Sequence, residues 1–485
     1  MLKMSKTVIL SIVILWLHLF PQLASAQKPE YKITIHLEGI NDTVCYLAFY
    51  MGDKIYVKDT AKVYKGAMVF YSDTSVLKPG MYIVAGQASN KYMEFLVNKN
   101  SRFALFTKKE DIAGAMKVKN SPENQKFYAY IAYLQKQQEI LTPFRKILES
   151  GAAGSDSVAW AKEQIKIINQ QVEAHRKTLL NENEGTLFAA IIKATQPPEI
   201  PEIPPLPDGK PDSIGKWNAY RQHYWDNFDL ADERLLRTPE FHKKIEHWFD
   251  HLVYPHPDSI AAAIDVVIEK AKPAEETYKY LIWYLTLKYE RSTIMGYDAV
   301  FVHMAKTYYK SGTDTWSNPT VVKNIIERAA ILEPLLIGKK APELLLWDTA
   351  MQIKSLYNTK ARYTIVYFWD SDCGHCKKEI PLLKAFYSKY KEQYNLEVFG
   401  VYADTSFTAM KKYIRNNALN WINVNGYYSA SGDFHDLYDI YSTPVMYLLD
   451  EEKTILAKRV LTHDIQMLLE RLEAKQAGEE NKETL

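Results

Sequence analysis

A chain of 485 residues with 47% hydrophobic and 24% charged residues has ordinary globular composition, which excludes a disordered chain or a multi-span membrane protein. That length accommodates roughly two to four domains, each with its own core. A formal net charge of +2 without a concentrated Lys/Arg block gives no electrostatic case for nucleic-acid binding.

At the N-terminus Lys3 and Lys6 precede the apolar run Val8–Phe20. Pro21 and the small-x-small triplet Ala24-Ser25-Ala26 follow, as in an export signal. The run is shorter than the roughly 20 residues that span a bilayer comfortably. Residues 1–26 are therefore expected to be a cleaved signal peptide rather than a retained anchor. No cysteine follows to be acylated, so a soluble exported protein starting near Gln27 is expected.

Residues 27–118 read as a β-rich domain, a sandwich or small barrel. The segments YKITIHLEG, TVCYLAFY, KIYVKDTAKV, AMVFYS, MYIVAG and YMEFLVN are separated by turn signals such as Gly52-Asp53, Lys65-Gly66 and Pro79-Gly80. In TVCYLAFY, Cys45 shares a strand face with Leu47 and Phe49, which reads as a small buried hydrophobe.

After Ser121-Pro122 the texture turns helical, and residues 119–335 read as an all-α domain. FYAYIAYLQKQQEIL and SVAWAKEQIKIINQQVEAHRKTLL place apolar residues three and four apart. The tract PPEIPEIPPLP, residues 197–207, interrupts them as an extended strap. Helices then resume, with Thr238-Pro239 expected to open one through a capping residue and a proline at its first position, and Asp258-Ser259 another. The aromatic runs of this region read as core at helical spacing. His247 and His251 are four apart, but HWFDH lacks the glutamate of the metalloprotease pattern, so no metal site is expected.

Residues 336–476 change texture again, and 477–485 read as a polar tail. Strands TIVYFW, LEVFGVYA, WINVN, VMYLLD and ILAKRV alternate with helices opening near Cys373, Phe407 and His463. This implies an α/β sheet with a parallel core and a final antiparallel hairpin turning at Glu451-Glu452-Lys453.

Within it, WDSDCGHC places Cys373 and Cys376 at the point where a strand passes into a helix. Backbone N–H groups and the helix dipole there favour an anion, so Cys373 is expected to be the more acidic thiol, with His375 and Lys377 adding to the effect and Asp372 opposing it. Cys376, one turn further in, is expected to be buried. The pair then supports attack on a substrate disulfide by Cys373 and resolution by Cys376. A zinc clip lacks a second ligand pair, and a permanent disulfide would close too short a loop to stabilise the fold much, though neither is eliminated by spacing alone.

FWDSDCGHCKKEIP, with APELLLWD upstream and YSTPVMYLLD downstream, resembles the thioredoxin superfamily and most closely its TlpA/ResA branch of exported thiol-disulfide oxidoreductases. The resemblance covers residues 337–475. It implies a thioredoxin-like fold, a redox-active Cys373–Cys376 disulfide and no other cofactor. It also implies a cis Pro444, with Thr443, Pro444 and Trp369 as the substrate wall and Glu379 as the acidic residue of the CxxCxxExP run. In thioredoxin a buried Asp stands two residues before the Trp, and here that position is Tyr367. Gly374-His375 is the dipeptide of protein disulfide isomerases, whose potentials lie near about −180 mV against about −270 mV for thioredoxin. The expected partners are protein or peptide disulfides and a membrane or periplasmic electron donor or acceptor. The expected location is the periplasm or cell envelope of a Gram-negative bacterium. The chain ahead of this module resembles, less specifically, exported multi-domain proteins of such bacteria in which β-rich and helical domains precede it. A scaffold protein using the module for docking, and a peroxiredoxin-like peroxidase, are the alternative readings. The latter lacks its Thr-x-x-Cys context.

Overall fold

The computed structural model describes residues 30–150, 154–309 and 317–483. The export signal read at residues 1–26 lies outside the described residues. The chain divides into two units, one comprising residues up to Leu252 with Lys270–Thr277, the other Val253–Glu269 with Tyr278 onward.

The first unit opens with strands β1 (Tyr31–Glu38), β2 (Val44–Met51), β3 (Lys54–Lys62), β4 (Ala67–Ser72), β5 (Gly80–Ala85), β6 (Lys91–Val97), β7 (Arg102–Lys108) and β8 (Lys117–Lys119). They form two four-stranded sheets, ordered β4-β1-β7-β8 and β3-β2-β5-β6. Alternation does what a half-buried strand requires: Tyr31, Ile33, Ile35 and Leu37 of β1 are buried while Lys32 and Glu38 face solvent. β7 and β8 extend the sequence-derived set of strands, and β7 runs parallel to β1. Cys45 is fully buried on β2, and burial pushes its thiol up to about 11, as befits an inert core residue.

Helices α1 (Pro122–Glu149), α2 (Ser155–Glu182), α3 (Leu187–Ala194), α4 (Ser213–His223) and α5 (Pro239–His247) follow in the same unit. The strap before α4 carries no helix or strand, consistent with its proline density. Thr238 precedes α5 as expected, but its hydroxyl donates to the Leu235 carbonyl at 2.7 Å instead of capping the helix.

Helices α6 (Pro257–Ala271), α7 (Glu275–Glu290), α8 (Asp298–Met304) and α9 (Pro319–Leu332) supply the helical part of the second unit. Its sheet is built from β9 (Leu345–Asp348), β10 (Ile353–Ser355), β11 (Tyr363–Trp369), β12 (Leu396–Tyr402), β13 (Ile422–Ser429), β14 (Val445–Leu449) and β15 (Ile455–Val460). Helices α10 (Gly374–Tyr394), α11 (Phe407–Asn417), α12 (Phe434–Tyr438) and α13 (Thr462–Glu483) accompany it. The strand order is β10-β9-β13-β12-β11-β14-β15. β11, β12 and β13 are parallel, and β14 and β15 are antiparallel, as the α/β pattern predicts. α13 continues to Glu483, so residues read as a polar tail are helical.

All seven residues of β11 are buried because the sheet is covered on both faces. Tyr363, Ile365, Tyr367 and Trp369 point into one core with Cys376, Ile380 and Leu469, while Val366 and Phe368 point into the other with Phe399, Phe434 and Leu335. The C-terminal end of this central strand carries the cysteine pair.

Candidate dithiol site

Asp370-Ser371-Asp372 carries the chain from β11 to α10. Asp370 folds the loop by accepting the Asp372 N–H at 2.8 Å, and the Ser371 hydroxyl pairs with that of Tyr402 on β12 at 2.8 Å. Cys373 is the N-cap of α10, with its sulfur accepting the Cys376 N–H at 3.3 Å. A thiol thus occupies the position that serine or aspartate usually fills, which aims the unpaired N–H groups of the first turn at sulfur.

The Thr443–Pro444 peptide bond is cis. The Cys373 thiol donates to the Thr443 carbonyl at 3.2 Å, so the loop before β14 lies directly against the reactive sulfur. Both residues are partly exposed.

The two thiols differ in acidity. Burial opposes ionisation of Cys373, but hydrogen bonds from the Cys376 thiol and amide, then from the Thr443 side chain and the His375 amide, bring its pKa below the ordinary 9.0. Cys376 is fully buried, and burial followed by its hydrogen bond to Cys373 pushes it up to about 11.

The expected opposition between the His375 and Asp372 side chains is not what lowers the Cys373 pKa. Both side chains are exposed, as is Lys377, and His375 acts through its backbone amide. Trp369 requires a further correction: with no exposed surface, it lies beneath the site against Tyr402 and Tyr413 and cannot touch a client. Gly400 makes this packing possible, since a Cβ there would stand 2.8 Å from Trp421 Nε1 and 3.3 Å from Trp369 Nε1. At Gly374, by contrast, a Cβ meets open space.

Glu379 is buried and accepts from the Thr462 N–H at 2.8 Å and the Thr462 hydroxyl at 2.6 Å, which ties α10 to the start of α13. Tyr367 is buried beneath Cys376 in the same core, where its hydroxyl faces the Cys376 thiol and finds no nitrogen or oxygen partner among the described residues. Burial, then the neighbouring Cys376 thiol, hold that phenol well above its ordinary pKa. Sequence reasoning missed Thr462 and Tyr402, whose polarity alone does not distinguish them from surface residues. Among the described residues no cluster of three or more His, Cys, Asp or Glu is arranged to hold a metal.

A dithiol at the start of a helix, facing a cis-proline loop at the end of a parallel strand, defines a thioredoxin-like thiol-disulfide oxidoreductase. Residues 337–458 match the AhpC/TSA family, and the C-terminal region is a thioredoxin-like domain of this kind. Residues 31–127 match a domain of unknown function, DUF4369, and residues 163–328 another, DUF5106.

Among curated relatives, the chain is 26% identical over 125 residues to the thiol-disulfide oxidoreductase ResA of Bacillus thuringiensis subsp. konkukian (strain 97-27), covering 26% of this chain and 69% of that protein. It is 27% identical over 120 residues to ResA of Bacillus subtilis (strain 168), covering 25% and 65%. A solved domain of a possible thiol-disulfide isomerase from Cytophaga hutchinsonii ATCC 33406 is 37% identical, covering 30% of this chain and 98% of that one, with a TM-score of 0.28. A thioredoxin-like protein from Bacteroides caccae ATCC 43185 is 21% identical, covering 56% and 98%, with a TM-score of 0.42.

Proposed function

We propose that this protein is an exported enzyme of the bacterial cell envelope that exchanges disulfides with client proteins through Cys373 and Cys376. The Cys373 thiolate attacks one sulfur of a client disulfide, forming a mixed disulfide and expelling the other client sulfur as a thiolate. Cys376, after losing its proton, attacks the Cys373 sulfur and releases the second client thiol. The client gains two electrons and the enzyme is left with a Cys373–Cys376 disulfide. An external dithiol donor returns it to the reduced state, and the same steps in reverse oxidise a client.

The observation that carries this reading is Cys373 at the N-cap of α10, more acidic than an ordinary thiol and in contact with the Thr443 carbonyl. Thr443 and Pro444 then form the wall on which a client backbone lies. Lys3, Lys6, the apolar run and Ala24-Ser25-Ala26 support export to the periplasm of a Gram-negative cell.

Insulin reduction with dithiothreitol as donor tests the activity, with Cys373→Ser as the control. Turnover is expected in the wild type and absent in the variant; turnover indifferent to that substitution would sink the reading. The potential of the pair assigns direction, with a value near about −270 mV marking a reductase and one near about −180 mV an isomerase or oxidase.

A further inference from the structure

Within the second unit, a cleft of about 790 Å³ opens between the end of the β14–β15 hairpin and the loop joining α7 to α8. Such a volume suits an occupant of several residues rather than an ion. Its floor carries cations that are already engaged. Arg328 and Arg459 both bind the buried Asp439 carboxylate, and Lys458 binds Asp298 and the Leu335 carbonyl. Those groups offer little to a free phosphate or carboxylate.

The exposed part of the lining sets Ile294 and Met295 on the α7–α8 loop, Met467 on α13, and Tyr441 beside the charged Glu290, Arg459 and Arg471. Ile294 is 58% and Tyr441 74% exposed, both far more than core packing would leave. Methionine surfaces of this kind adapt to different apolar side chains.

Its position relative to the dithiol decides the occupant. Tyr441 lies two residues before Thr443, so at roughly 3.3–3.6 Å per residue the mouth begins within about 7 Å of the wall facing Cys373. Val460, also in the lining, pairs with Met446, two residues after Pro444. A polypeptide joined to Cys373 that crosses the Thr443 loop towards Tyr441 reaches the mouth of the cleft.

Resting on the oxidoreductase reading above, we propose that this cleft is a docking channel for the extended chain of an unfolded client protein, holding the residues that flank its attacked cysteine. The α7–α8 loop thus gives the dithiol a preference for unfolded protein disulfides over small ones.

The test uses the full chain with Ile294→Glu, Met295→Glu and, as a control, Val266→Glu, which lies on α6 outside the cleft and is 52% exposed. Having two cleft variants guards against one failing to fold, which thermal melting detects. The first readout is the dissociation constant for reduced, carboxymethylated α-lactalbumin, an unfolded chain with no disulfide to exchange. It is expected to rise about tenfold in the cleft variants and to stay unchanged in the control. The second is the ratio of kcat/KM for insulin to kcat/KM for hydroxyethyl disulfide, expected to fall about tenfold in the same variants. An unchanged dissociation constant in the folded cleft variants overturns the channel, whatever the kinetics. Failure of the wild type to reduce either disulfide overturns the redox reading instead, and the binding measurement still decides the channel.

Discussion

Cys373 and Cys376 are one helical turn apart yet ionise on opposite sides of the ordinary thiol value of 9.0. A lower pKa means that half the thiol is ionised at a lower pH, so alkylation of Cys373 by iodoacetamide should rise with a midpoint below pH 9.0. Cys376, held up to about 11, should react only in strong alkali. Mass spectrometry of each peptide across a pH series checks this, and equal profiles would contradict it. Tyr367 raises a different question. Its buried hydroxyl has only the Cys376 thiol, a weak partner, to offset a desolvation cost of about 1–3 kcal/mol, and Tyr367→Phe removes it without changing the ring. Stability in urea should therefore rise, by about 1 kcal/mol. A loss would mean that the hydroxyl is paired in solution.

Helix α10 carries both cysteines, so its anchorage fixes the site. Glu379 joins it to the first turn of α13 through two hydrogen bonds to Thr462, and charged hydrogen bonds of this kind contribute about 1.5–3 kcal/mol each. Glu379→Ala should cost roughly 2 kcal/mol in a urea titration, while Lys377→Ala, at an exposed position, should change little. The helix itself was legible in the sequence because Cys373 follows an apolar strand and precedes a helical pattern. Strands β11 to β15 were legible for a related reason, since short apolar runs bounded by helices signal a buried sheet. The Glu379–Thr462 contact was not, because 83 residues separate its partners. Nor were β8, β9, β10 and α12, elements of only three to five residues that are too short to display a period. The burial of Trp369 was hidden for a third reason: Gly400, which creates its space, lies on a neighbouring strand.

At the scale of the molecule, amphipathic helices announce that they bury a face but not what they bury it against. The stretch 119–335 reads as one helical domain, yet its latter part shares a unit with the C-terminal sheet. Leu335 lies in the core formed with Phe368, Phe399 and Leu449, ahead of the residue at which the AhpC/TSA match begins. Removing a buried leucine from such a core costs about 2–5 kcal/mol, because the cavity collapses only in part. Leu335→Ala in the full chain should therefore lower stability by about 3 kcal/mol. A fragment of residues 337–485 lacks Leu335 and also loses Asp298 and the Leu335 carbonyl as partners of Lys458, so it should melt below a fragment of residues 253–485. The comparison is made by calorimetry on both fragments in their reduced state. Equal melting temperatures would show that the sheet is complete without the helices, whereas a lower value for the shorter fragment assigns the helices to the folding unit that carries the dithiol.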